Sequence, residues 1–181
     1  AKPDRRTSPE IARGTLVTID QEGNIVRVEV PGGAERVVRA RPAGDAQAQP
    51  AVWAIGGPDE GGRIAFVEYY FPKEAHALKV IGEDGSGERT ISERPGDPLW
   101  KGAAGKSMAL SRRGGQVAMV GQMLGVQLPS AYLMEGPLEI WGIDDGKQVT
   151  WGKVLDEGLA WLPDGRHLAC VRLLPARPYQ D

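Results

Sequence analysis

Few residues in this chain have the types and spacing that chemistry demands. The most suggestive are Gly105, Lys106 and Ser107 within WKGAAGKSMAL, residues 100–110, because Gly-Lys-Ser is the ending of a phosphate-binding loop. That loop also needs a glycine where Trp100 stands and a helix after the serine, whereas the residues following Ser107 read as a strand. The two histidines, His76 and His167, lie far apart, with Glu74 near the first. Without clustered carboxylates they do not make a metal site, and no metal or cofactor is expected. Asp144 and Asp145 stand before Gly146 and fit a turn better than a calcium loop. Cys170 is the sole cysteine, which excludes an internal disulfide and a multi-cysteine zinc site; its apolar neighbours suggest a small buried strand residue. No nucleophile, base and orienting group can be assembled, so the chain is not expected to be an enzyme.

Binding chemistry is better represented. EYYFPKEAHA, residues 68–77, carries Tyr69, Tyr70 and Phe71; GQMLGVQLPSAYLMEGP, residues 121–137, carries Met123, Leu124, Tyr132, Leu133 and Met134. Aromatic and methionine side chains bury much area at low entropic cost and suit a protein or peptide partner. Alternate members such as Tyr69 and Phe71 fit equally well in the packing between adjacent sheets.

The elements that position these segments repeat. GGRIAFVEY from Gly61, GGQVAMVGQ from Gly114 and DGRHLACVR from Asp164 each place a short strand around an alanine after a glycine turn. Ala65, Ala118 and Ala169 recur at nearly equal intervals, on the order of 50 residues. Each copy follows another apolar stretch: AVWAIGG from Ala51, SMALS from Ser107 and GLAWLP from Gly158. Two copies continue into LKVIGEDGSGERTIS from Leu78 and LEIWGIDDGKQVTWG from Leu138, which share Leu-x-[Val/Ile]-x-Gly-x-Asp before a glycine turn and a fourth strand. Four antiparallel strands per repeat, a to d, form the blade of a β-propeller. Residues 50–93 and 105–153 are then two blades, 14–40 the late strands of another, and 158–174 the early strands of a last one. Residues 1–13 form a flexible N-terminal arm and 175–181 a C-terminal tail.

WLPDGRHLACV, together with IGEDGSGERTI and WGIDDGKQVTW, resembles the repeat of TolB-like and WD40-like β-propellers, in which a Pro-Asp-Gly-Lys/Arg turn precedes the second strand. Pro163-Asp164-Gly165-Arg166 is close to that turn; Pro58-Asp59-Glu60-Gly61 and Arg112-Arg113-Gly114-Gly115 are degenerate. The resemblance implies a propeller built for binding and, for its compartment, the bacterial periplasm. Similar blades form the gating domain of prolyl-oligopeptidase-like peptidases, whose Gly-x-Ser-x-Gly elbow this chain lacks. A fragment of such a gating domain is the alternative to a non-enzymatic scaffold.

Composition agrees with a folded, turn-rich, all-β protein. Its 181 residues are 41% hydrophobic and 25% charged, and 25 Gly and 14 Pro disfavour long helices. A net charge of −2 without basic runs argues against nucleic acid, and no apolar run nears the ~20 residues needed to insert a helix in a membrane. About three four-stranded blades cannot close a ring that typically has ~4–8. The chain is thus a partial propeller, part of a longer one, or half of a six-bladed ring completed as a homodimer; another all-β arrangement is a further alternative.

Overall fold

The computed structural model describes residues 14–44, 49–70, 75–95, 107–113, 115–121, 124–127, 132–156 and 158–172, and among them every regular element is a β-strand. Four antiparallel sheets follow in chain order. The first contains β1 (Gly14–Ile19), β2 (Ile25–Val30) and β3 (Glu35–Arg39). The second contains β4 (Ala51–Gly56), β5 (Arg63–Tyr70), β6 (Ala75–Gly82) and β7 (Arg89–Pro95) as a plain four-stranded meander. The third is built from β8 (Met108–Leu110), β9 (Gln116–Val120), β11 (Tyr132–Gly142) and β12 (Gln148–Leu155), with β10 (Leu124–Gln127) added beside the first part of β11. The fourth is the pair β13 (Ala160–Trp161) and β14 (Leu168–Ala169).

The apolar runs of β5 and β9 are continuous because both faces of these strands are covered, which removes the usual alternation. Ile64 and Phe66 face the first sheet and pack with Val17, Ile25, Val38 and Ile81. Their neighbours Ala65 and Val67 face the third sheet and join Val117, Met119, Trp141 and Ile143. On β9, Ala118 and Val120 turn the other way and meet Leu138, Val154, Trp161 and Leu168. The sheets therefore stack face to face, each face forming half of the next seam.

At the first strands the sheets converge: β1 lies against β4, β4 against β8, and β8 against β13. The first sheet thus begins at the convergence, like the others, where the sequence pattern suggests only the later strands of a blade. Aspartates close most of the hairpins. Asp20, Asp59, Asp84, Asp145 and Asp164 each accept a backbone N–H two residues on, a local turn that explains the recurring Asp-x-x-Gly and Asp-Gly stretches. Asp144, by contrast, reaches across a seam to Arg63 at 3.1 Å. Cys170 is exposed beyond β14, which corrects the expectation of a buried strand residue: β14 ends at Ala169, and among the described residues no further strand pairs with it.

Candidate functional site at the seams and their connecting hairpins

The second strand of each blade turns into the third at one end of the stack, and both segments expected to bind a partner lie there. Neither is a plain loop. Tyr69 and Tyr70 are the last residues of β5, opposite His76 and Ala75 of β6. Tyr69 is 5% exposed, with its ring centroid 6.5 Å from that of Trp53, so it packs within the sheets, and its expected presentation to a partner is corrected. Tyr70 is half-buried and donates a hydrogen bond to Glu68 at 2.9 Å. Phe71 and Met123 lie outside the described residues.

In the second segment Leu124 opens β10, and Tyr132 and Leu133 open β11, with Leu124↔Glu135, Gly125↔Met134, Val126↔Leu133 and Gln127↔Tyr132 in register. β9 pairs the same strand further on, from Leu138↔Val120 to Gly142↔Gln116, so β9 and β10 lie end to end along β11. The expected loop is therefore a hairpin ribbon extending the second and third strands of the blade. Met134 is half-buried and packs against the Ala118, Val120, Leu138 and Val154 cluster.

Beneath this end, each of the first two seams holds one buried carboxylate. Glu68, on β5, is fully buried in the seam between the first and second sheets. Arg39, at the end of β3, reaches its Oε1, and Lys79 of β6 reaches Oε2 at 2.6 Å. Glu88 binds the same two cations, at 2.8 Å from Arg39 Nε and 3.0 Å from Lys79 Nζ. Burial alone lowers the pKa of Lys79, but hydrogen bonds to Glu68 and Glu88 outweigh it and raise the pKa above its ordinary value. Burial would raise the Glu88 carboxyl; hydrogen bonds from Arg39 and Lys79 prevail and hold it below its ordinary range. For Tyr70, burial and the bond to Glu68 act together and push the phenol up. Two acids and two bases thus neutralise one another, and the Arg39 guanidinium also stacks 5.2 Å from the Phe66 ring.

The seam between the second and third sheets centres on Glu139 of β11, 5% exposed. Arg94, near the end of β7, donates to Oε1 at 2.9 Å and stacks 5.0 Å from the Trp141 ring, while Trp141 Nε1 donates to Oε2 at 3.2 Å. A Cβ on Gly121 would fall 2.6 Å from that carboxylate, so the absence of a side chain there leaves Glu139 its place. Beside the pair, His76, Leu78, Ser92 and Met119 help line a cleft of about 10 Å³, room for about one water molecule. His76 Nδ1 is buried there without a hydrogen-bond partner. Burial, then the nearby Arg94 charge, lowers the His76 pKa, with Glu139 opposing.

Serine, histidine and a carboxylate line this one cleft, the residue types of a hydrolytic triad. The triad needs a hydrogen bond that orients the histidine, and Nδ1 makes none. Among the described residues no group of three or more His, Cys, Asp and Glu is placed to hold a metal ion. His167 sits in the β13–β14 turn and contacts Asp164, whose carboxyl is held at about 2 by the Arg166 amide and then by His167. Sequence reasoning missed Glu68, Arg39, Arg94 and Glu139. The signal was present at Lys79 and Glu139, which occupy the same variable position of the Leu-x-[Val/Ile]-x-Gly-x-Asp frame, charged and opposite in sign within an apolar strand.

No protein-family model matches the chain, and no curated protein matches it. Among solved structures it is similar to a chain of the nidogen/laminin complex, at 14% identity and a TM-score of 0.50, over 82% of this chain and 48% of that one. An oligogalacturonate lyase in complex with manganese matches at 10% identity and a TM-score of 0.44, over 71% of this chain and 28% of that one. The β-propeller domain of the trilobed protease from Pyrococcus furiosus matches at 12% and 0.35, over 76% and 52%. The fold is that of a β-propeller, and the chain spans about half the length of the first of these structures.

Proposed function

We propose that this β-propeller segment, with repeats of the TolB-like kind, is a non-enzymatic scaffold that binds a protein or peptide at the end carrying the β5–β6 and β10–β11 hairpins. The observation that supports this most is the β10–β11 ribbon. Four register pairs hold Tyr132, Leu133 and Met134 in a hairpin standing beyond the part of β11 that β9 covers. A ribbon already ordered by strand pairing loses little conformational entropy when a partner adds to it. The carboxylate seams beneath act as a base for that end rather than as reactive groups.

Selection of a random peptide library on the immobilised chain tests the reading. Selected peptides should bind the Tyr132→Ala/Leu133→Ala double variant at least about tenfold more weakly, the effect of losing a modest hot spot. The variant should keep the wild-type melting transition. Failure to enrich any peptide, or equal binding to the double variant, would overturn the proposal.

A further inference from the structure

The β6–β7 and β11–β12 hairpins meet the sheet before them in different ways. Asp84 and Asp144 hold the same position of the Leu-x-[Val/Ile]-x-Gly-x-Asp frame, and each contacts an arginine of the preceding sheet. The Asp144 carboxylate stands between two of them, its Oδ1 3.1 Å from Arg63 Nη1 and 3.4 Å from Arg89 Nη2. The Asp84 carboxylate instead turns back into its own hairpin, where it accepts from the Ser86 amide at 2.9 Å and the Ser86 hydroxyl at 2.7 Å. Arg36 of β3 therefore donates to the main-chain carbonyl of Asp84, at 3.4 Å.

Arg36 lies directly opposite Arg27 in the β2–β3 register, and both side chains leave the same face, toward the second sheet. Like charges in that position destabilise a strand pair, and an anion between them removes the cost. The contacts of Arg27 are long: Nη1 is 3.6 Å from Glu83 Oε2 and Nη2 is 3.5 Å from Thr15 Oγ1. Its buried Nε has no hydrogen-bond partner among the described residues. Beside the two arginines lies a cavity of about 140 Å³, lined by Arg27, Glu29, Ala34, Glu35 and Arg36 and far larger than the water-sized cleft of the other seam. Glu35 is one residue out of phase with Arg36 and takes the opposite face of β3, while Glu29 shares the face of Arg27.

We propose that this cavity binds a monoanionic carboxylate group between Arg27 and Arg36, the place that the Asp144 side chain takes between two arginines one seam later. The guanidinium fork matches a carboxylate in both charge and geometry. Glu29 and Glu83, close to the same arginines, oppose a second negative charge, so a carboxylate is favoured over a phosphate dianion. The cavity adjoins the hairpin that follows β6, whereas the β5–β6 hairpin precedes that strand, so the site does not depend on peptide binding there.

Titration of ¹⁵N-labelled protein, followed at the arginine Nε–H resonances, decides it, with Arg27 identified by the signal lost in Arg27→Gln. Propionate at constant ionic strength should shift the Arg27 resonance saturably. Inorganic phosphate should bind more weakly, and neither chloride nor propionamide, the uncharged isostere, should give a saturable shift. Arg36→Gln should weaken propionate at least about tenfold, the loss of a hydrogen bond to a charged group, without changing the melting temperature. Ala34→Asp sets a carboxylate on the cavity wall, as Asp144 does in the other seam, and should abolish the response while raising the melting temperature. A short peptide with a free C-terminus, compared with its amide, separates the sources: binding tighter than propionate assigns the site to a chain end, and weaker binding to a free acid. The absence of a saturable shift overturns the proposal, as do equal shifts with chloride or propionamide and tighter binding of phosphate than of propionate. So does an undiminished response in Arg36→Gln or Ala34→Asp.

Discussion

The two seams solve one problem with different completeness. Glu68 is buried between a guanidinium, an ammonium and a phenol, and a second carboxylate, Glu88, balances the charge. Glu139 is buried almost as deeply, yet it has one cation, Arg94, whose side chain is 35% exposed, and a tryptophan N–H. The difference follows from two positions: where the second blade carries Glu68 and Lys79, the third carries Gly121 and Glu139. A lysine at the second of these brings its own charge to a neighbouring acid, while a glutamate must borrow an arginine from the preceding blade. The second seam is consequently closed on one side only, with a water-sized cleft and an unpartnered imidazole nitrogen on the other. Burying a charge is tolerable only when every side of it is answered, and only the first seam meets that condition in full.

Substitutions that strip each carboxylate test how far this contrast reaches. Glu68→Gln keeps the shape but leaves Arg39 and Lys79, both 13% exposed, with Glu88 alone. Removing one side of a buried ion pair costs about 3 to 5 kcal/mol, and urea denaturation should show a loss of that order. Glu139→Gln leaves a guanidinium that water already reaches, and its amide oxygen still accepts one hydrogen bond. A smaller loss is expected, about 1 to 2 kcal/mol, near that of a single buried hydrogen bond. Equal losses for the two variants would erase the proposed contrast between a saturated and a half-closed seam.

The stacked-sheet plan was legible because its signals are local. The alanine-centred strands at Ala65, Ala118 and Ala169, the Asp-Gly turns and the shared frame at Leu78 and Leu138 each specify a hairpin from a few neighbouring residues. The seam chemistry was not, because Arg39 meets Glu68, and Arg94 meets Glu139, only when strands of different blades face one another. The second binding segment misled for a related reason. Residues 121–137 contain glycines and two prolines, which suggest a loop, but pairing to β11 overrides local preference and makes Leu124–Gln127 a strand. Tyr69 shows the opposite case: its place in an alternating run allowed both a partner-facing and a packed role, and burial against neighbouring sheets selects the packed one.

The smallest expected effect is the one that isolates the open side of the second seam. Burial first, then Arg94, holds His76 below its ordinary 6.5, against the pull of Glu139. The unfolded chain therefore takes up a proton at His76 before the folded one does. Stability contributed by the neutral imidazole is present above 6.5 and declines as pH falls below that value, until folded His76 is itself protonated. The depressed carboxylates act lower: Glu88 starts from 4.5, and Asp20, Asp84, Asp145 and Asp164 from 3.8, so their contributions hold above those values and are lost on further acidification. The interval between 6.5 and 4.5 is thus the one in which His76 stands apart from these carboxylates. His76→Leu should flatten the fall in urea midpoint across that interval while leaving the steeper acid limb in place. Parallel profiles for wild type and His76→Leu would mean that the cleft is solvated well enough to accept the charge, and the second seam would then be as complete as the first.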